Sequence, residues 1–221
     1  MEAQDKAIMK FGEFVALMAM MISLTALSID AMLPALTEIG FDLGVIEAND
    51  NQLIISILFL GLAFGQLFYG PLSDGIGRKP SVYIGLIFFA TGCLVSIFSQ
   101  NLTVMLIGRG LQGFGLSGTR TISVAIIRDQ FKGAQMAQVM SFVMATFIIV
   151  PTLAPFLGQG ILIIAHWRFI FWTILGLGFI LFLWFSLRQP ETLPKEKRSK
   201  FEMDKMISAA IEVFTTRVSI G

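Results

Sequence analysis

The sequence predicts an all-α membrane protein, a bundle of six bilayer-crossing helices, and three observations predict it. Apolar residues make up 55% of the 221 and charged ones only 14%, with a mean hydropathy of +0.79; soluble domains carry about 25% charged residues. Six apolar runs, at about 12–34, 51–70, 80–98, 102–125, 136–159 and 167–187, reach the roughly 20 residues a helix needs to cross a bilayer. The loops between them alternate in charge. Helix is the state that closes its own backbone hydrogen bonds in lipid, where an open strand edge leaves them unmade.

The first run follows Lys6 and Lys10 and lacks a small-residue cleavage site after a short apolar core, so it reads as an uncleaved span. It carries Asp30 about 10 Å outward of its centre at ~1.5 Å per residue. A charged aspartate at that depth costs up to roughly 3 kcal/mol unless it faces a wet cavity, finds a partner or takes a proton. A turn cap before Pro34 is the plainer role. The loop that follows is acidic, with Glu38, Asp42, Glu47 and Asp50.

The second run holds Gly61 and Gly65, a small-residue face suited to close helix packing. It ends in a compact charged turn, YGPLSDGIGRKP (Tyr69–Pro80). Gly75 and Gly77 permit tight backbone geometry there, and Pro80 suits the first turn of the third helix. Asp74 can accept hydrogen bonds at a helix N-terminus, and Arg78 and Lys79 are placed to anchor the turn among headgroups. Between the third and fourth runs, residues 99–103 hold nothing basic. The third run also holds Cys93, the single cysteine, so neither a disulfide framework nor a thiolate metal cluster is expected.

The fourth run contains two arginines. Arg109, about 7 Å outward of the centre by the same rise, stays charged and so cannot itself carry a proton. It can favour the charged form of a nearby carboxylate, coupling protonation to cavity shape, or simply bond helix carbonyls. Asp30 and Arg109 lie at similar depths, which makes an ion pair possible. Gln112 adds a neutral donor–acceptor on another face. Arg120, on the inward side, is expected to snorkel toward headgroups. GFGLSG (113–118) lacks the Lys-Ser/Thr ending of a phosphate loop and reads as packing. Arg128 and Lys132 make the next loop basic.

The fifth run carries Pro151, Pro155 and Gly158, a pattern of missing helix hydrogen bonds and close contacts. His166, Trp167 and Arg168 belong at the outer interface, where the sixth run starts, with Trp167 placed as an interfacial anchor. Phe59, Phe64, Phe68, Met140, Met144 and Phe147 could line an adaptable cavity. Arg188, Lys195, Lys197, Arg198, Lys200 and Lys205 follow the sixth run. The basic loops place both ends of the chain in the cytoplasm. From about 189 the chain is a charged linker, and helical spacing returns in 201–221, an expected interfacial helix. The chain stops without a closing element, as a truncated one would.

GPLSDGIGRK (Gly70–Lys79) resembles the loop signature of the major facilitator superfamily of secondary transporters, Gly-x-x-x-Asp followed by Gly and Arg-Lys. SIDAMLPAL (Ser28–Leu36), LIGRGLQGFG (Leu106–Gly115) and PTLAPFLG (Pro151–Gly158) are similar to segments of its drug–proton antiporter branch, the bicyclomycin and chloramphenicol resistance group. Gly158-Gln159 departs from the Gly-Gly common in that group. The resemblance implies a twelve-helix fold, of which this chain is the amino-terminal six-helix half (1–188) plus the start of a central linker (189–221). It implies proton-coupled efflux of drug-like molecules across the bacterial inner membrane by alternating access. Asp30, Arg109 and Gln112 then belong to proton coupling and the substrate cavity. Gly70, Asp74, Gly77, Arg78 and Lys79 form a gating loop, and Pro151, Pro155 and Gly158 a fifth-helix bending motif. The expected partners are a small drug and a proton, lipid, and the missing carboxy-terminal half. No cofactor, metal, nucleic acid or enzymatic chemistry is expected. An importer of another solute in the same superfamily, or a half-transporter acting in assembly, is the alternative.

Overall fold

Apolar runs this long leave helix as the economical backbone state, and the computed structural model, which describes residues 9–199, is helical throughout. Its elements are α1 (Phe11–Asp30), α2 (Leu36–Asp42), α3 (Leu53–Ile76), α4 (Arg78–Ile97), α5 (Leu102–Gln130), α6 (Gly133–Ile164) and α7 (Arg168–Arg188). Six of them form a membrane-spanning bundle. Five are long and apolar enough to cross a bilayer on composition alone, α1 together with α2 counting as one. The sixth, α5, is as long but carries Arg109 and Arg120. The expected helix in 201–221 and the chain's end lie outside the described residues.

Two spans differ from the sequence expectation at their C-terminal ends. α3 runs to Ile76, straight through Pro71, so most of the charged turn is helix. The reversal is one residue, Gly77, at φ +110. α1 stops earlier, at Asp30, because Pro34 has no N–H to return to the Asp30 carbonyl. The chain passes through one tight turn at Leu33–Ala35 before α2 resumes.

α5 is the packing spine. A side chain on Gly113 would strike the Leu58 carbonyl on α3, and one on Gly92 of α4 would strike the α5 backbone at Gly108 and Gln112. Backbones that close need small residues at the contact. α7 bridges α1 and α4, and α6 lies chiefly against α1. At one end of the bundle, Glu13 of α1 takes Arg188 of α7 at 2.6 and 2.8 Å, and the Phe14 and Phe131 rings meet at 5.1 Å. That end, with the α3–α4 and α5–α6 turns, is called the basic end; the opposite one, bearing α2, is the acidic end.

Candidate functional site

The end of α1 leaves carbonyls without helical donors, at the negative pole of the helix dipole. Arg109 of α5 fills that place. Its Nη1 and Nη2 each donate to the Ser28 carbonyl at 3.1 Å, and its Nε donates to the Ile54 carbonyl at the start of α3, also at 3.1 Å. Nη1 further donates to Gln112 Oε1 at 2.5 Å, and Gln112 Nε2 points on to Cys93 Sγ at 3.2 Å. Arg109, Gln112 and Cys93 are all fully buried. The sequence expectation sets Gln112 on another face from Arg109; the spacing of three residues puts the two on one helix face, and they bond each other.

The possible Asp30–Arg109 ion pair is not formed. Arg109 ends on the Ser28 carbonyl, two residues before Asp30. Asp30 is half-buried and makes no hydrogen bond or ion pair among the described residues. A buried guanidinium that has satisfied its donors on carbonyls has no need of the carboxylate, and the carboxylate stays available to solvent or a guest. α6 closes this region from the side: a Cβ on Gly158 would collide with the Ala31 carbonyl oxygen. α6 itself continues as helix through Pro151 and Pro155.

At the basic end, the residues from Gly70 to Lys79 form a different centre. Gly70 and Asp74 sit within α3. Arg78 joins Asp74 at 2.5 Å, Asp129 of α5 at 3.0 Å and Ser73 Oγ at 2.7 Å. It is 9% exposed, so it is tied inward rather than anchored among headgroups. The α4 N-terminus is not capped by Asp74. Glu191, beyond α7, accepts from the Arg78 and Lys79 backbone N–H groups at 3.0 and 3.1 Å. Lys79 Nζ caps the other partner, donating to the Ser186 and Gln189 carbonyls at 2.9 and 2.8 Å at the end of α7. Thr192 Oγ1 donates to Asp129 at 2.9 Å. Sequence reasoning missed Glu191 and Asp129. The available signal was an acid in PETL able to serve a helix N-terminus that has no cap of its own.

At the acidic end, Trp167 is fully buried rather than an interfacial anchor. Its Nε1 donates to Asp42 at 2.9 Å, and His166 Nε2 lies 2.7 Å from the same oxygen. Arg168 covers the Trp167 ring at 4.2 Å and donates to the Ile97 and Ser99 carbonyls at 2.9 and 3.0 Å. This cluster ties α2 and α4 to the start of α7. Among the described residues, no group of three His, Cys, Asp or Glu side chains is placed to hold a metal ion.

Comparison with known proteins places these features. The family model for the Major Facilitator Superfamily matches residues 11–220. The chain is 39% identical over 184 residues to an uncharacterised MFS-type transporter, YdgK, of Bacillus subtilis, covering 82% of this chain and 46% of that protein. It is 33% identical over 185 residues to a bicyclomycin resistance protein homolog of Haemophilus influenzae (84% and 46%) and 33% over 150 residues to the multidrug resistance protein MdtL of Klebsiella pneumoniae (68% and 38%). The chain thus spans about half the length, or less, of these relatives. Among solved structures, a peptide transporter, POT, in complex with sulfate is similar in fold, with a TM-score of 0.72 at 15% identity, covering 96% of this chain and 46% of that one. The human organic anion transporter MFSD10 is similar with a TM-score of 0.62 at 23% identity (84% and 49%).

Proposed function

The chain belongs to the Major Facilitator Superfamily, and on that footing we propose that it forms the amino-terminal half of a proton-coupled efflux transporter for small drug-like molecules. A second six-helix bundle completes the cavity, which opens alternately to either side of the membrane. The basic end faces the cytoplasm, and the membrane is the bacterial inner membrane. The relatives named for bicyclomycin and multidrug resistance support the substrate class.

The observation that carries the reading is Asp30: a half-buried carboxylate without a partner among the described residues, at the break in the first span. Arg109 stands two residues away on the Ser28 carbonyl. Asp30 is therefore placed to take a proton from the outer side and release it inward. Arg109 holds the broken helix end rigid while that exchange occurs. A proton on Asp30 removes the charge that favours the open, wet cavity, and its loss restores that charge. Substrate and proton compete for one site in this scheme. The basic-end centre at Asp74, Arg78 and Asp129 acts as the inner gate, with Asp74 turned to the face that the second half covers.

The test is efflux driven by an imposed pH gradient in everted membrane vesicles containing the complete transporter. Asp30→Asn is expected to abolish gradient-driven movement while leaving protein levels unchanged. Undiminished transport by that variant removes Asp30 from the coupling step.

A further inference from the structure

On the basic half of the bundle an open recess of about 480 Å³ lies between α3 and α5. Gln66, Gly70 and Asp74 form one wall, and Arg120, Thr121 and Arg128 the other. The charges around it do not balance. Both nearby acids are already engaged, since Asp74 and Asp129 each hold Arg78. Arg120 and Arg128 have no carboxylate partner among the described residues.

Arg128 lies in the last turn of α5, where a basic side chain is expected at the membrane surface. Arg120 is different. It is eight residues deeper, about 12 Å along the helix, and exposed into the recess instead of snorkelling outward. Its guanidinium carbon stands 5.5 Å from the centre of the Phe147 ring on α6. That contact orients the planar group without neutralising it. A guanidinium at this depth is costly unless water or an anion meets it, and its planar fork matches the two oxygens of a carboxylate or sulfonate.

We propose that this recess is the substrate-entry subsite for organic anions, with Arg120 taking the acidic group and Phe147, beside Arg120 though not part of the recess wall, meeting the aromatic or apolar body. Arg128 raises the local concentration of anions at the mouth. The proposal rests on the transport reading above and narrows its substrate class: amphipathic acids enter, and permanently charged cations are repelled. One proton moving in for one anion moving out transfers two charges in the same electrical direction. An inside-negative potential therefore accelerates this exchange, whereas proton-for-cation exchange moves no net charge.

The experiment uses the complete transporter, purified and reconstituted, with three probes of one shape: 2-naphthoate, its methyl ester and 2-naphthyltrimethylammonium. Titration calorimetry is expected to show naphthoate binding at least about tenfold tighter than the ammonium ion. A tenfold or greater loss is expected for naphthoate in Arg120→Gln, with ester affinity unchanged, since removing one partner of a charge-assisted pair costs that much or more. If Arg120→Gln does not fold, Arg120→Lys serves: naphthoate weakens several-fold and the ester does not. Naphthoate flux rises when potassium and valinomycin impose an inside-negative potential. Equal or tighter binding of the ammonium ion, or unchanged naphthoate affinity in a variant that still binds the ester, overturns the subsite. If naphthoate binds as expected but a pH gradient moves none of the probes, the subsite stands and the proton-coupled reading falls. Gradient-driven flux of the ammonium ion alone has the opposite meaning.

Discussion

At the scale of single residues, Arg109 shows how a buried cation can be accommodated without a carboxylate. Its donors are met by two carbonyl groups and an amide oxygen, and one of the carbonyls belongs to a helix end that has lost its own donors. This follows from geometry as much as charge, because a planar fork reaches acceptors on three elements at once and an ammonium does not. Arg109→Lys is therefore expected to leave at least one buried acceptor unmet, at about 1–3 kcal/mol each. The protein supplies its own reporter. Cys93 is the single cysteine and is fully buried, so a thiol-reactive dye reads unfolding directly. The expected result is a clearly lower unfolding midpoint for the lysine variant; an unchanged midpoint means the four bonds contribute nothing beyond the charge.

At the scale of elements, the α3–α4 reversal depends on one glycine and one distant acid. Gly77 at φ +110 is a conformation that side chains rarely adopt, and the sequence pointed to a glycine turn here. The sequence also predicts that the second span ends at about residue 70 with a turn after it, whereas α3 runs on through Pro71, which deprives the Leu67 carbonyl of its donor. The last turn of α3 survives because Arg78 ties Asp74 and Ser73 to α5, and that partner lies 51 residues away in the chain. The Glu191 cap, 113 residues from Arg78, is out of reach of any local pattern for the same reason. Replacing Glu191 with alanine removes the acceptor for the Arg78 and Lys79 N–H groups of α4 and the favourable charge at the dipole, worth roughly 1–2 kcal/mol together. Hydrogen exchange is the right measurement, since the effect is local: the Arg78 and Lys79 amides should lose protection while the middle of α5 keeps it. Uniform change along both helices, or none, counts against the cap.

At the scale of the whole molecule, six spans, their order and the alternation of basic and acidic ends were legible, since hydropathy and charge are properties of the chain itself. That Arg109 bonds carbonyls rather than Asp30 was not, because it depends on how α1, α3 and α5 cross. The crossing is set by backbone contacts at glycines whose neighbours cannot be named in advance. Gly158 makes the point. The sequence marks it only as part of a proline-and-glycine pattern on α6; the fold sets it against the Ala31 carbonyl, one residue past Asp30. Two residues on, Gly160 meets nothing within 4 Å of an added Cβ. The same substitution at these two positions therefore separates a change in helix composition from a change in helix seating. Gly158→Val presses a branched side chain onto backbone, which cannot rotate away, so α6 or the end of α1 must shift. The cost should be about 1–3 kcal/mol, as for other overpacked sites. Gly160→Val should remain within about 0.5 kcal/mol of the parent, as open positions do. Transport should follow the same division, with several-fold loss for the first variant and near-parent rates for the second, because only the first displaces the helix end that carries Asp30. Equal loss in both variants would mean that α6 matters for its flexibility alone, and that its seating on α1 does not shape the Asp30 site.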